Sequence, residues 1–294
     1  MQLINKLTKE KIKKVAYYFP LQYRLFYMKP RAYFRFRNER KLIRGAKLSE
    51  SNNQSFIFFT VQRCASVYVN NILKRLAIYK DITHIDFESY FSIFDESKYE
   101  LLRDPIFKSK YFYTNGYYYG AFRQYYRIPN LKNYRVILML RDPRDVLTSH
   151  YYSTVYSHSP INSTFLKLRN KALNMTVDEY VLYILPYFKR KYLDYYENVL
   201  NQESENILFV KYEEMVLDFE HWVYKIIKHL GLNINDSLVK QIINESNLSV
   251  KEENKYSHKR QVQPGDYLNK LKSSTINSIN EELNDIIQLM GYQD

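Results

Sequence analysis

Apolar residues along the chain form two patterns: short continuous runs, and longer stretches in which they recur every three or four positions. Three runs of strand length stand at Ser55–Thr60, Tyr134–Leu140 and Asn206–Lys211. Continuous apolarity is typical of strands that are buried on both faces of a parallel sheet, because no alternate position has to face water. A further strand is predicted at Lys110–Thr114. These runs predict a buried parallel sheet.

Helices are predicted between and after these strands, where apolar residues recur at helical spacing. The predicted helices are Ser66–Ala77, Asp145–Tyr156, Val177–Leu200 with a bend at Pro186, Phe219–Leu230 ending at Gly231, Asp236–Ser246 and Ser274–Met290. A loop is predicted at Tyr256–Asn269. Strands that alternate with helices predict an α/β fold in three layers, with a central parallel sheet flanked by helices.

The first fifty residues differ from the rest in charge. Residues 1–50 hold 14 of the 44 Lys and Arg and 3 of the 31 Asp and Glu, a net charge of +11, whereas residues 51–294 carry +2. We therefore predict a basic, partly helical N-terminal arm at 1–50 and a nearly neutral domain at 51–294, and no nucleic-acid partner is expected. The arm either packs its apolar face on the domain or rests on an anionic membrane or polymer.

Overall composition narrows the class of protein. Hydrophobic residues make up 46% of the 294 residues and charged residues 26%, which excludes a mainly disordered chain. Cys64 is the one cysteine, so an internal disulfide framework and a zinc site of several thiolates are excluded. We find no signal-peptide pattern and no apolar stretch of membrane-spanning length, and therefore expect a cytoplasmic protein that can lie at the membrane periphery.

The first strand is followed by a segment that suits anion binding. In Phe59–Tyr68 a buried strand leads through a short loop into a helix, so loop amides and the helix N-terminus form an anion cradle, and Arg63 adds a positive charge. The loop lacks the Gly-x-x-x-x-Gly-Lys-Ser/Thr pattern of nucleotide triphosphatases. Cys64 is not a phosphatase nucleophile, because position 70 is Asn and not Arg. An ordinary strand–helix turn remains the alternative.

A second strand–helix junction lies at Leu138–Ser149. Its helix start is locally specified, with Asp142 as N-cap and Pro143 in the first helical position. Arg141 ends the strand, and Ser149 lies two turns into the helix. Ligands of open parallel sheets bind at the carboxyl ends of strands, and an Arg with a hydroxyl suits a phosphate monoester there. Alternatively, Arg141 forms a structural ion pair with Asp145.

Taken together, the two junctions resemble the sulfotransferase family that uses 3′-phosphoadenosine 5′-phosphosulfate (PAPS). Arg63-Cys-Ala-Ser-Val-Tyr68 stands where the family binds the 5′-phosphosulfate, and Arg141 to Ser149 keeps the interval of the segment that binds the 3′-phosphate. Leu208–Met215 resembles the family's strand ending in Tyr-Glu-Asp. Lys259–Tyr267 resembles its C-terminal Arg-Lys-Gly-x-x-Gly-Asp-Trp loop. The four segments are in the family's order.

This resemblance implies a P-loop-like strand–loop–helix nucleotide site in a sulfotransferase-like domain at 51–294. It also implies PAPS as the donor, no metal, and a hydroxyl or amine acceptor on a saccharide, lipid or small molecule. The implied donor-binding residues are Arg63, Cys64, Ala65, Ser66, Val67, Tyr68, Arg141, Ser149, Tyr212, Lys259 and Arg260. Three loop positions depart from the family pattern: Ala65 replaces Gly, Val67 replaces Thr, and Tyr68 replaces Trp.

The resemblance also implies two catalytic roles. Arg63 would stabilise charge on the leaving oxygen, and Glu88, in Glu88-Ser-Tyr-Phe91, would be the general base. The Thr-His pair of many members would fall near Tyr113–Gly116, where Asn115 cannot act as a base. The other candidate bases are His84, Asp86, His158 and His258. An inactive adenosine-bisphosphate-binding or surface-binding scaffold is the alternative function; a nucleotide kinase is disfavoured by the missing Gly-Lys-Ser/Thr.

Overall fold

A five-stranded sheet forms the centre of the protein in the computed structural model, which describes residues 26, 28–94, 100–158, 163–202, 204–246, 248 and 261–292. All strand pairs are parallel, and the spatial order is β2-β3-β1-β4-β5. The strands are β1 (Phe56–Thr60), β2 (Thr83–Ile85), β3 (Tyr117–Phe122), β4 (Arg135–Leu140) and β5 (Ile207–Lys211). The prediction of an α/β fold with a central parallel sheet is confirmed.

Helices cover both faces of this sheet. The helices before β3 are α1 (Lys29–Arg35), α2 (Arg37–Ile43), α3 (Ser66–Tyr79), α4 (Phe87–Phe94) and α5 (Pro105–Tyr111). Those after β4 are α6 (Pro143–Tyr152), α7 (Ser163–Ala172), α8 (Val177–Asn198), α9 (Tyr212–Leu217), α10 (Phe219–Leu230), α11 (Asp236–Asn244), α12 (Asp266–Lys270) and α13 (Ser273–Leu289). A π-helical turn, Ser153–Ser157, extends α6. The bounds of α10 and its end at Gly231, with φ +63°, agree with the prediction.

The strand predicted at Lys110–Thr114 is wrong. Residues up to Tyr111 belong to α5, which starts locally because the Asp104 side chain accepts the Ile106 N–H and Pro105 occupies the first turn. The strand of this region is β3, and β2 was not predicted. The tyrosines of β3 can be buried because their hydroxyls find partners outside the strand. The Tyr117 hydroxyl accepts the Leu48 N–H at 2.9 Å, and the Tyr119 hydroxyl donates to the Tyr111 carbonyl at 3.2 Å.

The order of the strands creates a switch point beside β1. From β1 the chain builds β2 and β3 on one side and then returns to place β4 and β5 on the other. The ends of β1 and β4 lie side by side, with Thr60 paired to Met139. The connections leave these two strands in opposite directions, which opens a crevice at their carboxyl ends. In open α/β sheets this is where ligands bind.

Helix α8 closes the carboxyl edge of the sheet with buried tyrosine hydroxyls. Tyr195 lies 2.7 Å from the Thr60 carbonyl and 3.2 Å from the Phe122 carbonyl, while Tyr192 donates to the Arg141 carbonyl at 2.5 Å. Buried carbonyl groups at strand ends need such partners. The helix therefore fixes the ends of β1, β3 and β4 relative to one another.

The described part of the predicted arm packs on the domain. Ala32, Phe36 and Leu42 of α1 and α2 are buried, and the Phe36 ring lies against Tyr90 and Phe94 of α4 at centroid distances of 6.0 and 6.4 Å. The first half of the predicted arm, residues 1–25 and 27, lies outside the described residues. The division of the chain at residue 50 stays a prediction. Within the described ranges, no helix is long and apolar enough to cross a membrane.

Candidate functional site

The loop after β1 has an unusual backbone for its residue types. Arg63 and Ala65 both adopt left-handed conformations, with φ of +71° and +51°, and Ala65 is the N-cap of α3. A left-handed residue is disfavoured by about 1–2 kcal/mol for a side chain with a Cβ. Turns of this kind before a helix direct backbone N–H groups toward one side, which is the arrangement that binds phosphate and sulfate groups.

Arg63 joins the two junctions that the sequence singled out. Its Nε donates to Ser149 Oγ at 3.3 Å, and its Nη1 donates to Ser153 Oγ at 2.9 Å. The loop after β1 therefore touches the helix after β4 across the switch point. Two segments that lie 86 residues apart in the chain thus form one cluster of hydrogen-bonding side chains.

Arg141 is buried at the end of β4, with only 4% of its surface exposed. Its Nη2 lies 3.1 Å from Asp145 Oδ2, its Nη1 donates to the Arg63 carbonyl at 3.4 Å, and its guanidinium stacks 4.4 Å above the Tyr212 ring. The alternative of an ion pair with Asp145 is therefore realised within the cluster. Burial by itself would lower the pKa of Arg141, but Asp145 and Tyr212 raise it, and the group stays charged.

One donor of Arg141 is left over. Its buried Nε has no hydrogen-bond partner among the described residues. Buried donors are normally satisfied, so an orphaned guanidinium N–H at a strand end fits a site that receives an anionic oxygen. This N–H donor, together with Ser149 and the left-handed loop, offers hydrogen-bonding groups that suit phosphate oxygens.

Asp145 holds the C-terminal segment at this cluster. It is fully buried, and its carboxylate accepts the Gly265 N–H at 2.9 Å and the Tyr267 N–H at 3.1 Å. The Tyr212 hydroxyl donates to the Val262 carbonyl at 2.8 Å. The segments resembling the Tyr-Glu-Asp strand and the C-terminal loop thus both reach Arg141. Lys259 and Arg260 lie outside the described residues.

The remaining residues of the loop after β1 differ in exposure. The Cys64 side chain is buried, and burial raises its thiol pKa to about 12, so a ligand would meet its backbone rather than a thiolate. Ser66 Oγ accepts a hydrogen bond from Arg123 Nε at 3.2 Å. Val67 is exposed, and Tyr68 is half-buried with its ring 6.0 Å from Phe219. The loop therefore offers backbone N–H groups, a hydroxyl and one aromatic ring.

Glu88, the predicted base, lies close to this loop. Its Oε2 accepts the Arg123 N–H at 2.8 Å, and its Oε1 lies 3.2 Å from Arg123 Nη1. Burial raises the pKa of Glu88, while the Arg123 guanidinium opposes that rise. Since Arg123 also contacts Ser66, the chain of contacts leads from Glu88 to the start of α3.

A cavity of about 260 Å³ lies between Glu88 and the loop after β1. It is lined by Gln62, Glu88, Glu100, Arg103, Arg123, Gln124 and Tyr187. A larger groove, of about 1070 Å³, lies at the amino-terminal edge of the sheet between α2, residues 48–53 and the end of α3, away from Arg63 and Arg141. The smaller cavity is the one in contact with the predicted site.

Of the other candidate bases, the three within the described ranges, His84, Asp86 and His158, do not line this cavity. His84 Nε2 lies 2.8 Å from the Gly120 carbonyl, and burial lowers the pKa of His84 to about 4. Asp86 Oδ1 accepts the Ser89 N–H at the start of α4. His158 ends the π-helical turn after α6, and His258 lies outside the described residues.

The position expected for the Thr-His pair lies at the wrong edge of the sheet. Asn115 precedes β3, at its amino end, where it bridges to Gln54. The segment that follows the carboxyl end of β3 is Arg123-Gln124. This misplacement has the same origin as the wrong strand prediction. A strand predicted at Lys110–Thr114 ends eight residues before the observed end of β3 at Phe122.

Sequence reasoning missed several residues of this region. Arg123 would have been found had β3 been recognised, because it directly follows that strand. Lys191 is buried on α8, and its Nζ donates to Gln62 Oε1 at 2.8 Å and to the Arg123 carbonyl at 2.9 Å. Lysine is seldom buried, so no sequence pattern indicates this role. Glu213 Oε1 accepts the Asp142 N–H at 2.9 Å.

No metal cluster is found in this part of the chain. Among the residues that the structure covers, no three His, Cys, Asp or Glu side chains are grouped so that they could hold a metal ion. The cations of the site are those of Arg63, Arg123, Arg141 and Lys191. The donors that the structure brings together are therefore guanidinium, ammonium, hydroxyl and backbone N–H groups.

Comparisons with known proteins find similarity to sulfotransferases. A 3-beta-hydroxysteroid sulfotransferase from Cavia porcellus is 29% identical over 128 residues, which are 42% of this chain and 40% of that protein. The chain thus matches about two fifths of the length of this curated relative. Mouse sulfotransferase SULT7A1, solved as a complex with PAP, superimposes with a TM-score of 0.54 at 16% identity, over 84% of this chain and 88% of that one.

The structural likeness shows the fold. Membership follows from the sequence itself, since the family described as Sulfotransferase domain matches residues 125–284, just over half of the chain. That stretch begins directly after Arg123 and Gln124 and includes Arg141, Ser149 and Tyr212. The chain belongs to the sulfotransferase-domain family.

Proposed function

We propose that the protein transfers a sulfuryl group from PAPS to a hydroxyl or amine acceptor. The observation that carries this proposal is the contact across the switch point, where Arg63 of the loop after β1 meets Ser149 of α6 beside the orphaned Nε of Arg141. A nucleotide with phosphates at both its 5′ and 3′ positions needs two such anion sites next to each other. A nucleoside triphosphate has a single phosphate chain and needs only one.

Each of the two anion sites binds one of the charged groups of PAPS. Arg141 and Ser149 hold the 3′-phosphate, and the N–H groups at residues 63–66 hold the 5′-phosphosulfate. Arg63 places a positive charge beside the oxygen that bridges phosphorus and sulfur. In sulfuryl transfer, as in phosphoryl transfer, charge grows on the leaving oxygen, so a fixed cation there stabilises the transition state more than the ground state.

Glu88 accepts the proton of the acceptor. Its carboxylate borders the cavity next to the loop, and Arg123 holds it by two contacts. Because burial raises its pKa, the carboxylate is a stronger base than an exposed glutamate. Arg123 in turn keeps the carboxylate ionised and oriented.

A second candidate function is the binding of adenosine bisphosphate without transfer. The observation that favours it is the pairing of Glu88 with Arg123, which occupies both carboxylate oxygens. The Ala65 and Val67 replacements in the loop agree with it. If the protein transfers sulfate, the reaction requires Glu88 as base; if it only binds adenosine bisphosphate, Glu88 is not required.

The test uses calorimetry and labelled sulfate. Wild-type protein should bind adenosine 3′,5′-bisphosphate (PAP), the product of the donor, at least tenfold more tightly than ATP, and should move labelled sulfate from PAPS to an acceptor. Glu88→Gln should lower turnover by about 100-fold or more while PAP affinity stays unchanged. Glu282→Gln, which loses an exposed ion pair with Lys189, is the matched control. Equal affinity for ATP would refute the donor assignment, and full activity of Glu88→Gln would refute the base.

An anionic membrane surface is the partner proposed for the arm. In its described part, Phe26 and Phe34 are exposed at 80% and 77%, next to the exposed cations Arg31 and Arg35. Aromatic and basic residues on one surface suit the headgroup region of an anionic bilayer, with about 1 kcal/mol from each cation.

Vesicle binding distinguishes an arm that binds membranes from an arm that only packs on the domain. The full chain should sediment with phosphatidylserine vesicles at low salt and be released by salt, and Arg31→Glu with Arg35→Glu should weaken binding. Lys132→Glu, an exposed change elsewhere, should leave it intact. Equal binding to neutral vesicles would contradict the electrostatic part of the proposal.

A further inference from the structure

The cavity beside Glu88 has a polar wall. Of its seven lining residues, six carry a carboxylate, a guanidinium or a carboxamide, and the seventh is Tyr187. No aliphatic side chain lines it within the part of the chain that the structure describes. Pockets for drug-sized ligands are lined mainly by apolar side chains and have volumes of about 300–1,000 Å³. This cavity differs in chemistry, and it is slightly smaller than that range.

One of the wall groups belongs to the loop after β1. Gln62 lies in the loop after β1, and its Oε1 accepts from Lys191 Nζ at 2.8 Å. The contact fixes which end of the carboxamide points to the lysine, and the Gln62 NH₂ group has no partner among the described residues. A hydrogen-bond donor is therefore available at the boundary between the loop and the cavity.

The other wall groups are mostly charged, and the buried ones are oriented by hydrogen bonds. Arg123 and Glu88 form an ion pair, and Arg103 lies 3.7 Å from Glu100. The Gln124 Nε2 donates to the Tyr126 hydroxyl, which holds its carboxamide in place. An apolar ligand would cover these groups without replacing the hydrogen bonds they make to water, so it would be rejected. A ligand with several hydroxyl groups would replace them.

Tyr187 supplies a single apolar surface. It lies on α8 with 47% of its area exposed, and Lys191 Nζ lies 4.6 Å from its ring centroid. A sugar ring has an apolar C–H face and a rim of hydroxyl groups, so it can lie on one aromatic ring while its rim reaches carboxamides and charges. The cavity has this combination, because the Tyr187 ring is surrounded by carboxamide and charged side chains.

From these contacts we infer that the acceptor is a saccharide, bound with its ring on Tyr187 and its hydroxyl groups toward Gln62, Gln124 and Arg123. The inference rests on the proposed sulfuryl transfer. An acceptor hydroxyl oxygen forms a bond to sulfur, the bond from sulfur to the bridging oxygen of PAPS breaks, and its electron pair stays on PAP. The acceptor proton passes to the Glu88 carboxylate. The products are a sugar sulfate and PAP.

The experiment compares acceptors of opposite polarity. Wild-type protein is given labelled PAPS with neutral oligosaccharides of glucose, galactose and N-acetylglucosamine, and in parallel with a hydroxysteroid and a simple phenol. We expect kcat/KM for at least one oligosaccharide to exceed that for the apolar alcohols by about 100-fold or more. A higher kcat/KM for the steroid or the phenol would overturn the inference while leaving the proposed function intact.

Variants of Tyr187 locate the sugar. Tyr187→Ala should raise the saccharide KM by about three- to tenfold with little change in PAP affinity, whereas Tyr187→Phe should stay close to wild type. Leu182→Ala is the matched control, since Leu182 is exposed on the same helix and does not line the cavity. A saccharide KM that Tyr187→Ala leaves unchanged would overturn the binding mode.

Direct binding covers the case in which no acceptor is sulfated. Saturation-transfer NMR with the same oligosaccharides in the presence of PAP should show contacts that Tyr187→Ala abolishes, which supports the inference even in a protein that only binds. Absence of saccharide binding to the PAP complex overturns it. Absence of PAP binding in calorimetry refutes the donor site, which is a separate failure.

Discussion

Replacing Arg141 by alanine tests the donor site most directly. The guanidinium ends β4, holds the Arg63 carbonyl, and keeps one buried N–H without a partner among the described residues. Charge-assisted hydrogen bonds contribute about 1.5–3 kcal/mol each. We therefore expect Arg141→Ala to weaken PAP binding by roughly 10- to 150-fold.

The same substitution disturbs folding, because Asp145 is fully buried and loses its charged partner. Breaking a buried ion pair on one side costs about 3–5 kcal/mol. Two backbone N–H groups, those of Gly265 and Tyr267, still bind the carboxylate, so the loss should lie near the lower value. Arg141→Ala combined with Asp145→Asn removes the uncompensated charge. The asparagine oxygen can accept only one of the two N–H groups, so the double variant should recover only part of the stability, and it should not recover PAP affinity.

Urea unfolding and calorimetry with PAP separate these two effects. The control is Arg75→Ala, which removes the surface ion pair between Arg75 of α3 and Glu245. It should change neither the free energy of unfolding nor the PAP affinity by much. If Arg141→Ala bound PAP as tightly as wild type, Arg141 would serve structure alone. If the double variant regained affinity together with stability, the affinity loss would be a consequence of misfolding, and the donor-site assignment would be refuted.

Three further predictions concern stability. Burial raises the pKa of Glu39 from 4.5 to about 7, so the contribution of the protonated carboxyl to the free energy of unfolding is fully present below pH 4.5 and is lost as pH rises to about 7. Glu39→Gln should remove roughly 3 kcal/mol of this pH dependence, measured by urea unfolding. Ala65→Gly should raise the free energy of unfolding by up to about 1 kcal/mol, because φ is +51° there, and a loss of stability would contradict the strain. Phe36→Ala should cost about 3–5 kcal/mol since its ring is buried against α4; unchanged thermal unfolding would show that α1 and α2 are separable from the domain.

Local physical chemistry accounts for what the sequence alone determined. The helix at Phe219–Leu230 was predicted to the residue because its apolar spacing and the left-handed Gly231 are both local. The start of α6 followed from Asp142 and Pro143, and the buried character of β1 and β4 from continuous apolar runs. The run of β5 also predicts a buried strand, but β5 lies at the edge of the sheet and only Val210 of it is fully buried. With two junctions placed on parallel strands, the donor cluster around Arg63, Arg141 and Ser149 could be predicted, because the carboxyl ends of such strands share one edge.

Tertiary contacts decided the surroundings of Glu88, the region proposed for the acceptor. The tyrosines of β3 are accommodated in the buried strand through hydroxyl partners at Leu48 and Asn70, which are distant in the chain, and at Tyr111, in the preceding helix. No local pattern marks these contacts. Placement of β3 in turn brings Arg123 to Glu88, and α8 brings Lys191 to Gln62. Burial of a lysine or an arginine is favourable only when specific partners surround it, and those partners come together only in the folded chain.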